Sequence, residues 1–108
     1  MEILKDAGRF SADWDASYVE QLRVPDLSLG TYSIPAGAVD GQQPHTEDEV
    51  YVVLSGRGRL WTPTQVADVG PGTVAFVPAG EEHRFVDVEE ELHVTVVFGP
   101  AEYTRRPE

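Results

Sequence analysis

Three histidines, no cysteine and 19 carboxylate side chains define the chemistry open to this chain of 108 residues. His45 and Glu49 are four residues apart, and Gln43 lies two before His45. In an extended segment, positions 43, 45, 47 and 49 point the same way. His83 opens a separate run far along the chain. If that run sits opposite the first, two imidazoles, one carboxylate and one amide converge. Two histidines and a carboxylate with open positions form the facial arrangement of non-haem metal sites. A polar loop over residues 40–49 with one surface histidine fits the same spacing, and the residues alone leave both readings open. Glu47 shares the parity of the candidate ligands and could approach a metal or act as a base on a bound substrate. It could equally be an exposed carboxylate of the turn Thr46-Glu47-Asp48. His93 sits on a late run, where it either faces a pocket as a catalytic group or packs quietly.

Those side chains need elements to position them. From about residue 19, short runs rich in Val, Leu, Tyr and Phe alternate with Gly, Pro and Asp, which is the signature of strands. The runs are 18–24, 27–34, 50–54, 58–62, 73–77, 83–88 and 92–98. None leaves room for a long helix, so the pattern predicts an all-β sandwich or barrel. Alternation puts Leu92, Val94, Val96 and Phe98 on one face and His93, Thr95 and Val97 on the other. The run over 50–54 is apolar on both faces and is expected in the middle of the structure. Gly56 and Gly58 are expected to bracket a tight turn, and Pro71-Gly72 and Pro78-Ala79-Gly80 to pin the turns around 73–77. Arg57 and Arg59 alternate on one face as solvated groups or partners for the acid excess. Residues 1–20 read as a lead-in with a short helical turn near Ser11–Asp15. Residues 21–100 read as one barrel domain and 101–108 as a tail.

Composition excludes several classes. Without cysteine there is no disulfide scaffold, thiolate zinc site or cysteine nucleophile. A net charge of −11 argues against nucleic acid and against an anionic membrane surface. The apolar runs are too short to span a bilayer as helices, and no targeting segment is evident, so a cytoplasmic location is expected.

Two stretches sharpen the reading. Gly37, His45, Glu49 and Gly56 match the pattern G-x5-H-x-H-x3–4-E-x6-G, with Gln43 where the first histidine would stand. Gly72, Pro78, Gly80 and His83 match G-x5-P-x-G-x2-H-x3-N, with Asp87 in place of the asparagine. In these features the chain resembles the cupin superfamily, from about residue 22 to Phe98. The resemblance implies a double-stranded β-helix, a jelly-roll-like barrel. It implies His45, Glu49 and His83 as metal ligands, with Gln43 in the fourth position. One divalent ion (Fe, Mn, Ni, Cu or Zn) is the implied cofactor. Tyr32, Tyr51, Trp61, Phe76, Phe85 and Phe98 are candidates to line the cavity. The expected function is a metal-dependent enzyme on a small organic molecule, dioxygenase-, isomerase- or cyclase-like. A small-molecule-binding module without turnover and an accessory dimer with a vestigial site are the alternatives. Small cupins usually pair, so a homodimer is expected.

Overall fold

The computed structural model describes residues 1–5, 7 and 16–104. The helical turn expected near Ser11–Asp15 lies outside the described residues. Among the described residues there are six strands: β1 (Ser17–Val24), β2 (Leu27–Ile34), β3 (Asp48–Thr62), β4 (Gln65–Val69), β5 (Val74–Val77) and β6 (Arg84–Gly99). Every pairing is antiparallel. The order is β1-β2-β6-β3-β4, with β5 also on β3. The result is the all-β architecture that the strand-like runs predict. No helix among the described residues is long and apolar enough to cross a membrane.

Two of the strands are longer than the runs that foretold them. The runs over 50–54 and 58–62 are one strand, β3, and those over 83–88 and 92–98 are one strand, β6. Gly56 therefore does not sit in a turn between strands. The β3–β6 register shifts between Val53 and Arg59 instead, so the paired strands bend without separating. Before the bend β3 also pairs with β5, and after it with β4. These bends curve the sheet around a single core.

The alternation read in the sequence sets that core. Leu92, Val94, Val96 and Phe98 of β6 are buried, and Tyr51 and Val53 of β3 pack with them. Ile34, Leu60, Val69, Val77, Phe85 and Val88 complete the cluster. Each such side chain stabilises the fold by about 1.5–3 kcal/mol through removal from water. β3 lies between β6 and its partners β4 and β5, the interior position its two apolar faces imply. On the reverse side Leu54, Val74 and Phe76 remain exposed, Phe76 at 62%.

Two turns set the site. Gly72 and Gly80 adopt positive φ in the turns flanking β5. The second turn is tied to the candidate ligand loop, because Gly80 N donates to the His45 carbonyl at 2.8 Å and Ala79 N to Asp48 Oδ1 at 2.9 Å. The two sequence motifs are thus joined by hydrogen bonds before any ligand is considered.

Candidate metal centre

His45 lies in the loop between β2 and β3, Glu49 lies on β3, and His83 immediately precedes β6. One ligand atom from each lies within 4.8 Å of the others. His83 Nε2 is 2.7 Å from Glu49 Oε1, with both side chains only 1% exposed. His45 Nδ1 is 3.4 Å from the same oxygen. Charged groups are seldom buried this deeply without a partner. His45 Nδ1 and both Glu49 oxygens are buried, yet none makes a properly directed hydrogen bond among the described residues. Buried polar atoms that converge without satisfying one another are what a metal ion would complete. Two imidazoles and a carboxylate fit Fe(II), Mn(II), Ni(II), Cu(II) or Zn(II).

The electrostatics follow from burial and contact. Burial opposes a charge on His45, but the carboxylates of Glu102 and Glu49 outweigh it and push the pKa up to about 9. Burial likewise opposes a charge on His83, and Glu49 with the Glu81 carbonyl overcomes it, so that pKa also rises. Burial works against the Glu49 carboxylate, but the two histidines hold its pKa below the ordinary value. In metal-free protein the raised histidines contribute stability in full below their ordinary 6.5. That contribution is lost as pH climbs through their folded values, near 9 for His45. Glu49 contributes above its ordinary 4.5 and fails as pH falls through its lowered value. The urea midpoint of metal-free protein should therefore peak between about 4.5 and 6.5 and decline by pH 9. A midpoint flat from pH 6 to 9 would contradict this charge network.

The cluster opens into a cavity of about 420 Å³ lined by Tyr18, Tyr32, Gln42, Tyr51, Phe98 and Tyr103, among others. Its polar wall is built from the loop. Asp40 is buried and accepts hydrogen bonds from the Tyr32 hydroxyl, the Gln42 amide group and Phe85 N. With its amide nitrogen committed to Asp40, Gln42 turns its oxygen toward the Tyr51 hydroxyl, at 3.1 Å. Tyr51 Oη is also 2.9 Å from His83 Nε2. Tyr18 reaches the cavity from β1 by lying across Gly30, which pairs with Glu20 and has no side chain to block the ring. A Cβ at Gly30 would stand 2.3 Å from the phenol. The Tyr18 hydroxyl is buried and has no partner among the described residues.

A family model described as a cupin domain matches residues 30–98. The chain belongs to the cupin family. Uncharacterized protein SCO3923 of Streptomyces coelicolor is 43% identical over 88 residues, 82% of this chain and 84% of that protein. Among solved structures, a cupin superfamily protein from Desulfitobacterium hafniense superposes with a TM-score of 0.76 at 17% identity, over 91% of this chain and 90% of the other. KdgF from Halomonas sp. gives 0.71 at 22% identity, over 79% and 78%. EutQ of Clostridium difficile gives 0.71 at 18%, over 85% and 67%. At these identities the structures speak for the fold, the cupin double-stranded β-helix.

Within this cupin domain the expected site residues divide. His45, Glu49 and His83 come together, and Tyr32, Tyr51 and Phe98 line the cavity. Phe85 packs beneath it, edge-on to Tyr51 and Tyr32. Gln43 is exposed and outside the cavity lining, and its neighbour Gln42 occupies the wall. Glu47 is buried, but its carboxylate accepts from the Tyr103 amide and the Thr46 hydroxyl. The parity argument fails for both because residues 39–47 form a loop, where side chains do not alternate. His93 is on the face of β6 opposite the core and pairs with Glu91 at 2.7 Å. Trp61 lies after the bend in β3 with the Arg84 guanidinium over its ring, and Phe76 is on the outer surface. Arg57 and Arg59 pair on the surface with Glu90 and Asp68, contacts of little energetic weight. Glu102, Tyr18 and Gln42 are the site residues missed from sequence. None belongs to either motif at a ligand position, and Glu102 lies beyond both.

Proposed function

We propose that this cupin domain holds one divalent metal ion on His45, Glu49 and His83 and acts as an enzyme on a small organic molecule in the adjoining cavity. The observation that carries the reading is the convergence of buried, unsatisfied ligand atoms at the floor of a space of about 420 Å³. That volume suits a small metabolite. When bound, the metal supplies Lewis-acid or redox chemistry at the positions the three residues leave open. The chain's own groups do the rest. With His83 Nε2 given to the ion, the Tyr51 hydroxyl donates to Gln42 alone, and Asp40 keeps that amide from turning over. The Tyr18 side chain contributes to the wall of this space. Burial and the nearby carboxylate of Glu102 raise the Tyr18 pKa, so this group stays a neutral phenol. Phe98 and Val96 keep the inner wall apolar. Glu47 and His93 do not line this space, so the reading gives them no part in the chemistry.

Metal analysis tests the reading. Protein purified without a histidine tag, or reconstituted in turn with Fe, Mn, Ni, Cu and Zn, should hold close to one equivalent of at least one of them. If none reaches that level, the metal-centred function falls. Oxygen uptake with enols, flavonols and diketones then separates dioxygenase-like activity from isomerase- or cyclase-like activity and from simple binding.

The reading includes a homodimer. Val74 and Phe76 of β5, with Leu54 of β3, expose an apolar row on the outer surface. A second copy meeting this row would remove it from water. Light scattering should return about twice the 11.9 kDa of one chain. A mass equal to one chain would overturn the dimer and leave the metal site untouched.

A further inference from the structure

We propose that Glu102 is a positioning residue of the metal centre, holding His45 by Nε2 so that Nδ1 is the nitrogen offered to the ion. The inference rests on the metal reading above and goes beyond the ligand set. Glu102 lies outside both sequence motifs and outside the segment 30–98 that the family model matches.

An imidazole ligates through one nitrogen, and the other then carries a proton that needs an acceptor. That acceptor selects the ligating nitrogen and orients the ring. His83 shows the usual solution, with Nδ1 at 2.8 Å from the Glu81 carbonyl, which leaves Nε2 toward Glu49. His45 is arranged the other way round. Its Nε2 is 3.2 Å from Glu102 Oε2, while its Nδ1 is buried, lacks a hydrogen bond among the described residues and faces Glu49. The two histidines therefore present opposite nitrogens to one point.

The placement of Glu102 is built into the fold. After β6 the chain passes back beneath the cavity, and its backbone amides are fixed one after another. Ala101 N donates to the Pro25 carbonyl at 3.4 Å, Glu102 N to Ser28 Oγ at 2.8 Å, and Tyr103 N to Glu47 Oε1 at 2.7 Å. Ser28 and Glu47 are both buried. Tyr103 takes a left-handed φ of 66°, which an ordinary side chain adopts at a cost, and its ring lies within 30° of parallel to that of His45. This accounts for Glu47, whose burial no ligand role explains. It anchors the strap that carries Glu102. A charged acceptor on Nε2 also makes Nδ1 a stronger donor to a metal.

The test uses the full chain loaded with Zn(II), ¹⁵N-labelled at histidine. Wild-type spectra should show His45 bound through Nδ1 with a proton on Nε2, and His83 bound through Nε2. Glu102→Ala should weaken Zn(II), measured by chelator competition, by about 10–100-fold and scramble the nitrogen that His45 uses. Glu102→Gln keeps the shape and a neutral acceptor. It should retain Nδ1 ligation with an intermediate affinity, and it serves as the folded control if the alanine variant is unstable. A merely structural role would lower thermal stability while leaving affinity and ligating nitrogen unchanged, which overturns the inference. So would wild-type ligation through His45 Nε2, or direct coordination by Glu102. Wild-type protein that takes up no Zn(II) or other ion overturns the metal reading itself and this inference with it.

Discussion

His83→Ala should reduce metal affinity by at least about 100-fold and, in metal-free protein, lower stability by roughly 3 kcal/mol. Both effects come from the same contact. Removing the imidazole takes away one of the three proposed ligands, so an ion would keep only His45 and Glu49 of that set. It also takes the 2.7 Å partner from a carboxylate that is 1% exposed. Among the described residues His45, at 3.4 Å, is then the remaining imidazole beside Glu49. A buried charge stripped of its main partner is among the costlier single changes in a fold. Metal content by elemental analysis and a urea midpoint separate the two parts. A variant that keeps a full equivalent of metal would refute the ligand assignment. His83→Ala combined with Glu49→Gln should recover part of the lost stability without recovering metal, because the stranded charge is gone. If the double variant is less stable than the single, Glu49 is not the source of the cost.

Gly56→Ala should be close to unfolding for the whole domain. Gly56 has φ of 90°, and an added Cβ would lie 2.0 Å from the Glu91 carbonyl oxygen and 2.8 Å from Leu92 Cα. Those are backbone atoms of β6 at the bend shared with β3, so no side chain can swing aside. The expected loss exceeds about 3 kcal/mol, against a total stability of about 5–15 kcal/mol for an ordinary domain. Gly72→Ala is the matched control. Gly72 has nearly the same φ, 89°, with nothing within 4 Å of the added carbon. It bears the conformational cost alone, about 1–2 kcal/mol. Thermal unfolding of the two variants side by side should show the first failing and the second mildly affected. Equal losses would mean that the close approach of the strands at Gly56 carries no weight.

The contrast between those glycines bears on what a sequence discloses. Both glycines are motif positions, and spacing alone treats them alike. Only one faces a crossing backbone, and that depends on how β3 and β6 bend together. Local pattern served well wherever neighbours in sequence decide geometry. The alternation of Leu92–Phe98 gave the buried face of β6, and the Pro-Gly turns gave the bounds of β5. His45, Glu49 and His83 were legible through the two motifs they belong to, since their spacing alone left a polar loop equally open. Gln43 and Glu47 were not, since alternation has no meaning in the loop that holds them. β4 escaped notice because QVADV is mostly exposed and offers only Val69 to the core. Glu102 gave no signal at all. Its role depends on Ser28 and Glu47, 74 and 55 residues away along the chain, meeting the strap that carries it.

The position of β6 in the sheet has a consequence for how the chain is made. β6 is the last of the six described strands but lies between β2 and β3, and it is the strand that joins them. Until residues 84–99 leave the ribosome, β1 and β2 form a hairpin with one bare edge, and β3 with its short partners has another. Two open edges in one nascent chain invite pairing with other molecules. Nor can the candidate ligands assemble early, because His83 is placed only as β6 docks. Folding of this domain during synthesis is thus deferred until β6 has emerged, and the candidate ligands come together only after that.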